Sequence, residues 1–338
     1  MFNCNVFDAT LRDSSYAVNF QFTKKDTMKI CSELEKSGIH YIEVGHGMGL
    51  GASSPQYGIA KEKDIDYLIA ARKSLNKSKF GVFFIPGIGT MDDIEMAARE
   101  GADFIRIGQD ITKIDECKKF CDFAKKCGLL VFVNAMKTYL ISPVILRNII
   151  IEMNNWENTD IFYVVDSSGS MLPSEVKDYV KVIKDNTNFK IGFHGHNNLG
   201  MANANSYVAL ENGAHFIDGT LGGVGRSAGN AQTEILCNLA FRFDKKKSYD
   251  IPKLFNVYKT YILPMIREKQ GINSIDIMLG ISKMHSNNLH ALKEIARNNN
   301  IDFFEFLLEL NNIYNEEFNE TKVNNLALSI KNNLLENK

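Results

Sequence analysis

Eight short apolar runs separated by longer amphipathic stretches constrain this chain more than any other feature of its sequence. The runs lie at 5–7 (NVF), 41–45 (YIEVG), 80–86 (FGVFFIP), 103–108 (DFIRIG), 129–135 (LLVFVNA), 161–166 (IFYVVD), 190–196 (KIGFHGH) and 215–221 (HFIDGTL). Apolar runs of this length read as strands buried on both faces. The segments between them, such as 23–38, 90–101, 113–128 and 173–186, carry a helical pattern, and several end in glycine as helix C-termini do. Ala209, Leu210, Asn212 and Gly213 close another helix just before the last run. Eight strand–helix units predict an α/β fold, a (β/α)8 TIM barrel over residues 1–245. A doubly wound open sheet is the competing arrangement. Beyond 245 the alternation stops. Residues 246–338, with helical stretches at 254–269, 287–300 and 303–317, read as a C-terminal helical domain whose extreme tail is frayed.

Composition narrows the function classes. The chain has 338 residues, 45% hydrophobic and 23% charged, with a formal net charge of −1. That balance, without a basic stripe, argues against nucleic acid as a partner. No apolar segment reaches membrane-spanning length. The opening MFNCNVFDATLRD lacks a basic n-region followed by an apolar h-region, so no signal peptide is expected. The six cysteines form no C-x-x-C pair and read as reduced thiols, which fits a cytoplasmic location.

A barrel demands that functional residues sit at the C-terminal ends of its strands. The polar clusters of this sequence fall there. His194 and His196, two apart at the end of the seventh run, project from one strand face and suit two imidazole ligands of a divalent ion. Asp13, just past the first run, can supply a carboxylate, because the first, seventh and eighth strands lie close together in a closed barrel. Two imidazoles and one carboxylate leave coordination positions open, which suits Mn2+, Co2+, Fe2+ or Mg2+ better than a closed zinc site. Arg12 beside Asp13 offers a fixed guanidinium for an oxyanion. The glycine-rich segment 219–230 follows the eighth run and reads as a wall of the site, since its spacing is not that of a dinucleotide fingerprint. Glu43, His46, Arg106, Gln109, Asp166 and Ser167 share the strand-end position. Taken singly, each of these residues also has a plain structural reading, as a cap, a turn residue or a hydrogen-bonded pair.

Arg12-Asp13, His194-Gly195-His196 and GGVGRSAGNAQTE (222–234) together resemble the metal-dependent pyruvate aldolase/lyase superfamily, the DRE-TIM metallolyases. IEVGHGMGLGASSPQYG (42–58), PGIGT (86–90), DSSGSM (166–171) and HGHNNLGMANANS (194–206) are similar to segments of 4-hydroxy-2-oxovalerate aldolases in the same order. The resemblance runs from residue 6 to about 240. It implies a class II aldolase that cleaves or forms a 4-hydroxy-2-oxo acid from pyruvate and an aldehyde. It further implies a divalent metal, Mn2+ before Mg2+ or Co2+, held by Asp13, His194 and His196 with Asn230 nearby. Arg12 would stabilise the pyruvate enolate, and Ser168 and Gly225 would face the substrate. A homo-oligomer is expected. The family's acylating aldehyde dehydrogenase partner is left in doubt by the changed helical region.

Two positions depart from the family pattern. Ser14 and Tyr16 stand where the aldolases carry Gly and a general-base His. A tyrosine, with an ordinary pKa near ~10, is a weak base at neutral pH. His285 stands where the family brings a Tyr from the helical region. The departures are complementary, which suggests an exchanged pair with His285 as base and Tyr16 orienting the hydroxyl. The competing readings are a Claisen-type acyl-CoA lyase or synthase of the same superfamily, and a non-catalytic barrel that has lost its base.

Overall fold

The computed structural model describes residues 4–156, 158–245, 248–267, 270–314 and 318–336. Its centre is a closed barrel of eight parallel strands in chain order: β1 (Asn5–Asp8), β2 (Tyr41–Glu43), β3 (Lys79–Phe84), β4 (Phe104–Asp110), β5 (Leu130–Met136), β6 (Ile161–Asp166), β7 (Lys190–Gly195) and β8 (Phe216–Gly219). Each coincides with one of the eight apolar runs. β8 closes on β1 with Asn5 opposite Phe216 and Asp8 opposite Gly219.

Local chemistry explains the surrounding helices. Helix Lys24–Lys36 starts at a capping box in which Thr23 and Asp26 satisfy each other's backbone N–H, and Thr90 and Asp93 do the same for Met91–Arg99. Proline occupies the first turn of Pro143–Met153 and Pro173–Asn186, where its missing N–H costs nothing. Ile30, Leu34, Val82, Ile105, Val131 and Leu210 are among the residues filling the space between helices and strands.

The barrel interior has its own aromatic plug, in which Phe7, Phe104, Phe132, Tyr163 and Phe216 are buried together. Ring centroids lie 5.1 Å apart for Phe104 and Phe132 and 5.4 Å for Phe132 and Phe216, in tilted and edge-on geometry. The plug fits because some neighbouring strand positions carry no side chain. A Cβ on Gly192 would lie 2.3 Å from the Tyr163 ring, and one on Gly81 would lie 2.3 Å from the Phe104 ring; outside the plug, one on Gly108 would lie 2.3 Å from the Phe83 ring.

After the barrel, helix Ile251–Val257 adds Leu254 and Val257 to the barrel's core. The stretch expected as one helix at 254–269 is instead broken. A π-helical turn at Tyr258–Ile262 and a 3-10 turn at Leu263–Met265 follow, with Pro264 unable to continue a regular helix. Residues 268 and 269 of that stretch, and 315–317 of the stretch at 303–317, lie outside the described residues. Helices Ser274–Ile281, Leu289–Asn299, Phe303–Ile313 and Glu320–Glu336 share a second core around Leu292, Phe306, Leu310 and Ala327. The last helix runs to Glu336, and its Val323, Ala327 and Ile330 form an apolar stripe at helical spacing buried in that core; residues 337 and 338, at the end of the tail expected to fray, lie outside the described residues.

The two parts are latched where the barrel's mouth lies. Ser227 Oγ donates to Asp276 Oδ1 at 2.5 Å, and Asn198 Nδ2 donates to the Asp276 carbonyl at 3.1 Å. This latch brings the 285–288 turn over the strand ends.

Candidate metal centre and active site

β1 ends in a tight helical turn, Thr10–Asp13, because the N–H groups of Arg12 and Asp13 both return to the Ala9 carbonyl. The turn aims two consecutive side chains at the barrel axis. Arg12 Nε donates to Glu43 Oε2 at 2.8 Å, and its Nη1 donates to Asp13 Oδ1 at 3.0 Å. The Phe83 ring backs the guanidinium, 4.7 Å from its centroid. Arg12 is therefore held on three sides, pre-organised rather than free to reach.

Asp13, His194 and His196 converge. One ligand atom from each lies within 4.8 Å of the others, and all three residues are buried. The two imidazole centroids are 5.2 Å apart. His194 Nδ1 meets Asp218 Oδ2 at 3.1 Å, so its Nε2 faces Asp13 Oδ2 at 3.5 Å. Burial opposes charge on His194, but the flanking Asp13 and Asp218 carboxylates outweigh it and raise its pKa. Burial, with His194, Arg226 and Arg12 adding to it, drives His196 down to about 3, so its imidazole is neutral and can coordinate. Burial works against the Asp13 carboxylate, yet Arg12 and the two histidines hold it well below the usual range.

The donor set fits a divalent cation. Asp13 Oδ2 and Asn230 Oδ1 are buried oxygens without a hydrogen-bond partner among the described residues, an arrangement that is costly unless a cation or water completes it. Asn230 is bridged to His196 through the backbone, which places it beside the cluster. Asp218 holding His194 Nδ1 is the carboxylate–histidine support typical of metal sites.

Beneath the centre lies an ionic layer. Arg106, wholly buried, donates to Glu43 Oε2 at 3.2 Å and to Asp218 Oδ2 at 2.5 Å, and lies over the Phe7 and Tyr163 rings. Tyr163 OH donates to the other Asp218 oxygen at 2.9 Å. Glu43 thus links Arg106 to Arg12, and Asp218 links Arg106 to His194. Among these residues Asp218 is the one the sequence reading passes over. Its signal is a carboxylate at an inward position of an otherwise apolar strand.

The centre opens into a cavity of about 260 Å³. Arg12, Asp13, His194, His196, Tyr16 and His285 all line it. Tyr16 lies against Gly47, where any Cβ would be 2.5 Å from its ring, and burial raises its pKa. His285, at the start of the 286–288 turn, is half-buried. Burial, with Arg226 and Lys137 nearby, pushes its pKa well down. Arg226 Nη2 lies 2.7 Å from His285 Nε2, and the Arg226 guanidinium also covers the Tyr16 ring at 5.1 Å. Two other expected residues, Ser168 and Gly225, do not line the cavity. Ser168 is buried with its Oγ bonded to Ser170, and it is Ser167 that lines the cavity, its Oγ accepting the Lys137 N–H. Gly225 packs against Asn230, whose Nδ2 would lie 2.3 Å from any Cβ there, so this glycine makes room for that amide.

The comparisons with known proteins agree with this geometry. The family model described as HMGL-like matches residues 3–260. A 4-hydroxy-2-oxovalerate aldolase from Carboxydothermus hydrogenoformans is 36% identical over 307 residues, covering 90% of each chain. A 4-hydroxy-2-oxovalerate aldolase from Geobacillus stearothermophilus is 36% identical, covering 90% of this chain and 89% of its own. In fold, the carboxyl transferase domain of Rhizobium etli pyruvate carboxylase superposes with a TM-score of 0.76 at 14% identity, over 98% of this chain and 61% of that one. A barrel with a buried Asp–His–His cluster at its mouth, matched over most of its length, belongs to the HMGL-like family.

Proposed function

We propose that the protein is a divalent-metal-dependent aldolase that cleaves a 4-hydroxy-2-oxo acid to pyruvate and an aldehyde, or joins the two. The observation that carries this reading is the convergence of Asp13, His194 and His196 with the pre-organised Arg12 guanidinium on one cavity. The family membership and the aldolase relatives support it.

Asp13, His194 and His196 would hold the ion, with Asn230 Oδ1 as a further donor and Mn2+ the favoured metal. Bound there, a divalent ion supplies Lewis-acid polarisation of the 2-oxo acid. Arg12 lies beside the cluster with its guanidinium fixed by Glu43, Asp13 and Phe83, so it stabilises the negative charge that grows on the 2-oxo oxygen without reorganising. The C3–C4 bond breaks as the 4-hydroxyl gives up its proton. The bonding pair passes to the pyruvate part as an enolate, which then takes a proton at C3.

The proton acceptor we assign is His285. A neutral imidazole carries one proton, yet both nitrogens face N–H groups: Arg226 at 2.7 Å from Nε2 and the Asn287 N–H at 3.2 Å from Nδ1. Only one of the two can be accepted at a time: with its lone pair on Nδ1 the imidazole accepts from the Asn287 N–H, and with it on Nε2 it accepts from Arg226, the tautomer the base role uses. Burial and the neighbouring cations keep His285 uncharged at neutral pH. Tyr16, a poor base in its buried setting, orients the hydroxyl.

The test is pyruvate release from a panel of 4-hydroxy-2-oxo acids with Mn2+ supplied, followed by lactate dehydrogenase coupling. His285→Ala is expected to lower turnover by about 10²–10⁴-fold. Turnover near the wild-type value would remove His285 from the role of base. Silence across the panel in the Mn2+-loaded protein would remove the aldolase reading itself.

A further inference from the structure

We infer that the aldehyde half of the substrate carries an anionic group, carboxylate or phosphate, and that Arg226 binds it, leaving His285 Nε2 free for the reacting hydroxyl. This inference rests on the aldolase reading of the site.

The first observation is the charge inventory of the cavity wall. Three cationic side chains line it: Arg12, Lys137 and Arg226. Arg12 is matched by Asp13 and Glu43, and Lys137 is matched by Asp110 at 2.7 Å. Arg226 has no carboxylate within ion-pair reach among the described residues. Its partners are neutral: His285, the Asn287 side-chain oxygen at 2.8 Å and the Tyr16 ring. A half-buried guanidinium served only by neutral groups is electrostatically unfinished, and its planar fork suits a bidentate oxyanion.

The second observation is where this guanidinium sits. It lies 2.7 Å from His285 Nε2, the nitrogen assigned to accept the proton, and blocks the approach of a hydroxyl to it. A neutral aldehyde chain offers Arg226 nothing better than its present partners. A carboxylate or phosphate at the far end of the substrate does, because a charge-assisted pair is roughly twice as strong as a neutral hydrogen bond. Binding of the anion then draws Arg226 off His285, and the base becomes available only when the correct substrate is present. The position also fits the direction of the substrate. The 2-oxo acid end belongs at Arg12 and the Asp–His–His cluster, so the aldehyde end extends toward Arg226, Asn287 and Lys137, which line the same cavity.

The experiment follows pyruvate consumption by the Mn2+-loaded full-length protein in the condensation direction. Glyceraldehyde is compared with glyceraldehyde 3-phosphate, and butyraldehyde with succinate semialdehyde. The expected result is a kcat/KM about 10–100-fold higher for the anionic member of at least one pair. The pair that shows it tells phosphate from carboxylate. R226Q is expected to lose most of that preference, mainly through KM, and R226K to keep part of it. Thermal melts of both variants establish that they are folded, and the R226K response keeps the test decisive if R226Q is not. Neutral aldehydes consumed as well as anionic ones, or a preference that survives R226Q, overturns the anion inference while the aldolase reading stands. No pyruvate consumed with any aldehyde, together with no release in the cleavage panel, overturns both.

Discussion

The interior of the barrel is built from two layers of opposite character, stacked along one axis. Toward the N-terminal ends of the strands, Phe7, Phe104, Phe132 and Phe216 fill the space with rings. One step toward the C-terminal ends, Glu43, Arg106, Asp218, Arg12 and His194 fill it with charge. Both layers exclude water, but they do so differently. The aromatic layer is held by area and shape and tolerates a change of volume at modest cost. The ionic layer is held by matched charges, where loss of one partner strands another in a medium that cannot solvate it. Arg106 belongs to both, with its guanidinium paired to two carboxylates and lying over two rings. It is the joint between structure and chemistry.

Breaking that joint has the largest expected effect. Arg106→Met leaves two buried carboxylates short of one cation and should cost about 3–5 kcal/mol, read as a lower denaturant midpoint. A loss below about 1 kcal/mol would mean that Arg12 and His194 alone satisfy Glu43 and Asp218. Next comes the link from the ionic layer to the candidate metal centre. Asp218→Asn removes the carboxylate that fixes His194 Nδ1. It should weaken Mn2+ binding by about 10–100-fold, read by calorimetric titration. Unchanged affinity would show that Asp218 serves Arg106 and not the metal. The smallest change is expected in the aromatic layer. Phe132→Leu should lower stability by about 1 kcal/mol with KM for the 2-oxo acid unaltered. A shift in KM would show that the two layers are mechanically coupled.

Much of this arrangement was legible in the sequence. Each strand of a closed parallel barrel is buried on both faces, so each appears as a compact apolar run, and eight runs gave eight strands. The convergence of His194 and His196 was legible because residues two apart at a strand end share one face. The helices that bury ordinary amphipathic faces were legible too. Helix Pro143–Met153 is implied by the strand–helix alternation but is poorly marked by its own residues. Its run PVILRNIIIEM is rich in β-branched residues that favour strands, and only the Ser142 cap and the leading proline turn it helical. The ionic layer was the least legible part. Arg106 and Asp218 are 112 positions apart, and Arg226 and His285 are 59 apart. Such pairs are set by closure of the barrel and by docking of the helical part, which leave no local pattern. That Ser167 lines the cavity while Ser168 bonds to Ser170 depends on which face a loop residue presents just past the end of β6, and adjacent serines look alike in one dimension.

Gly108 in β4 has a consequence that reaches beyond packing. The space its missing side chain leaves is taken by the Phe83 ring, and that ring is the surface against which Arg12 rests. The guanidinium proposed to meet substrate is therefore aimed in part by a missing side chain on another strand. A single methyl added at position 108 would push on Phe83, and Phe83 would pass the push to Arg12. The reach of the site is tuned through the barrel wall, as a sighting post is moved by shimming the footing behind it.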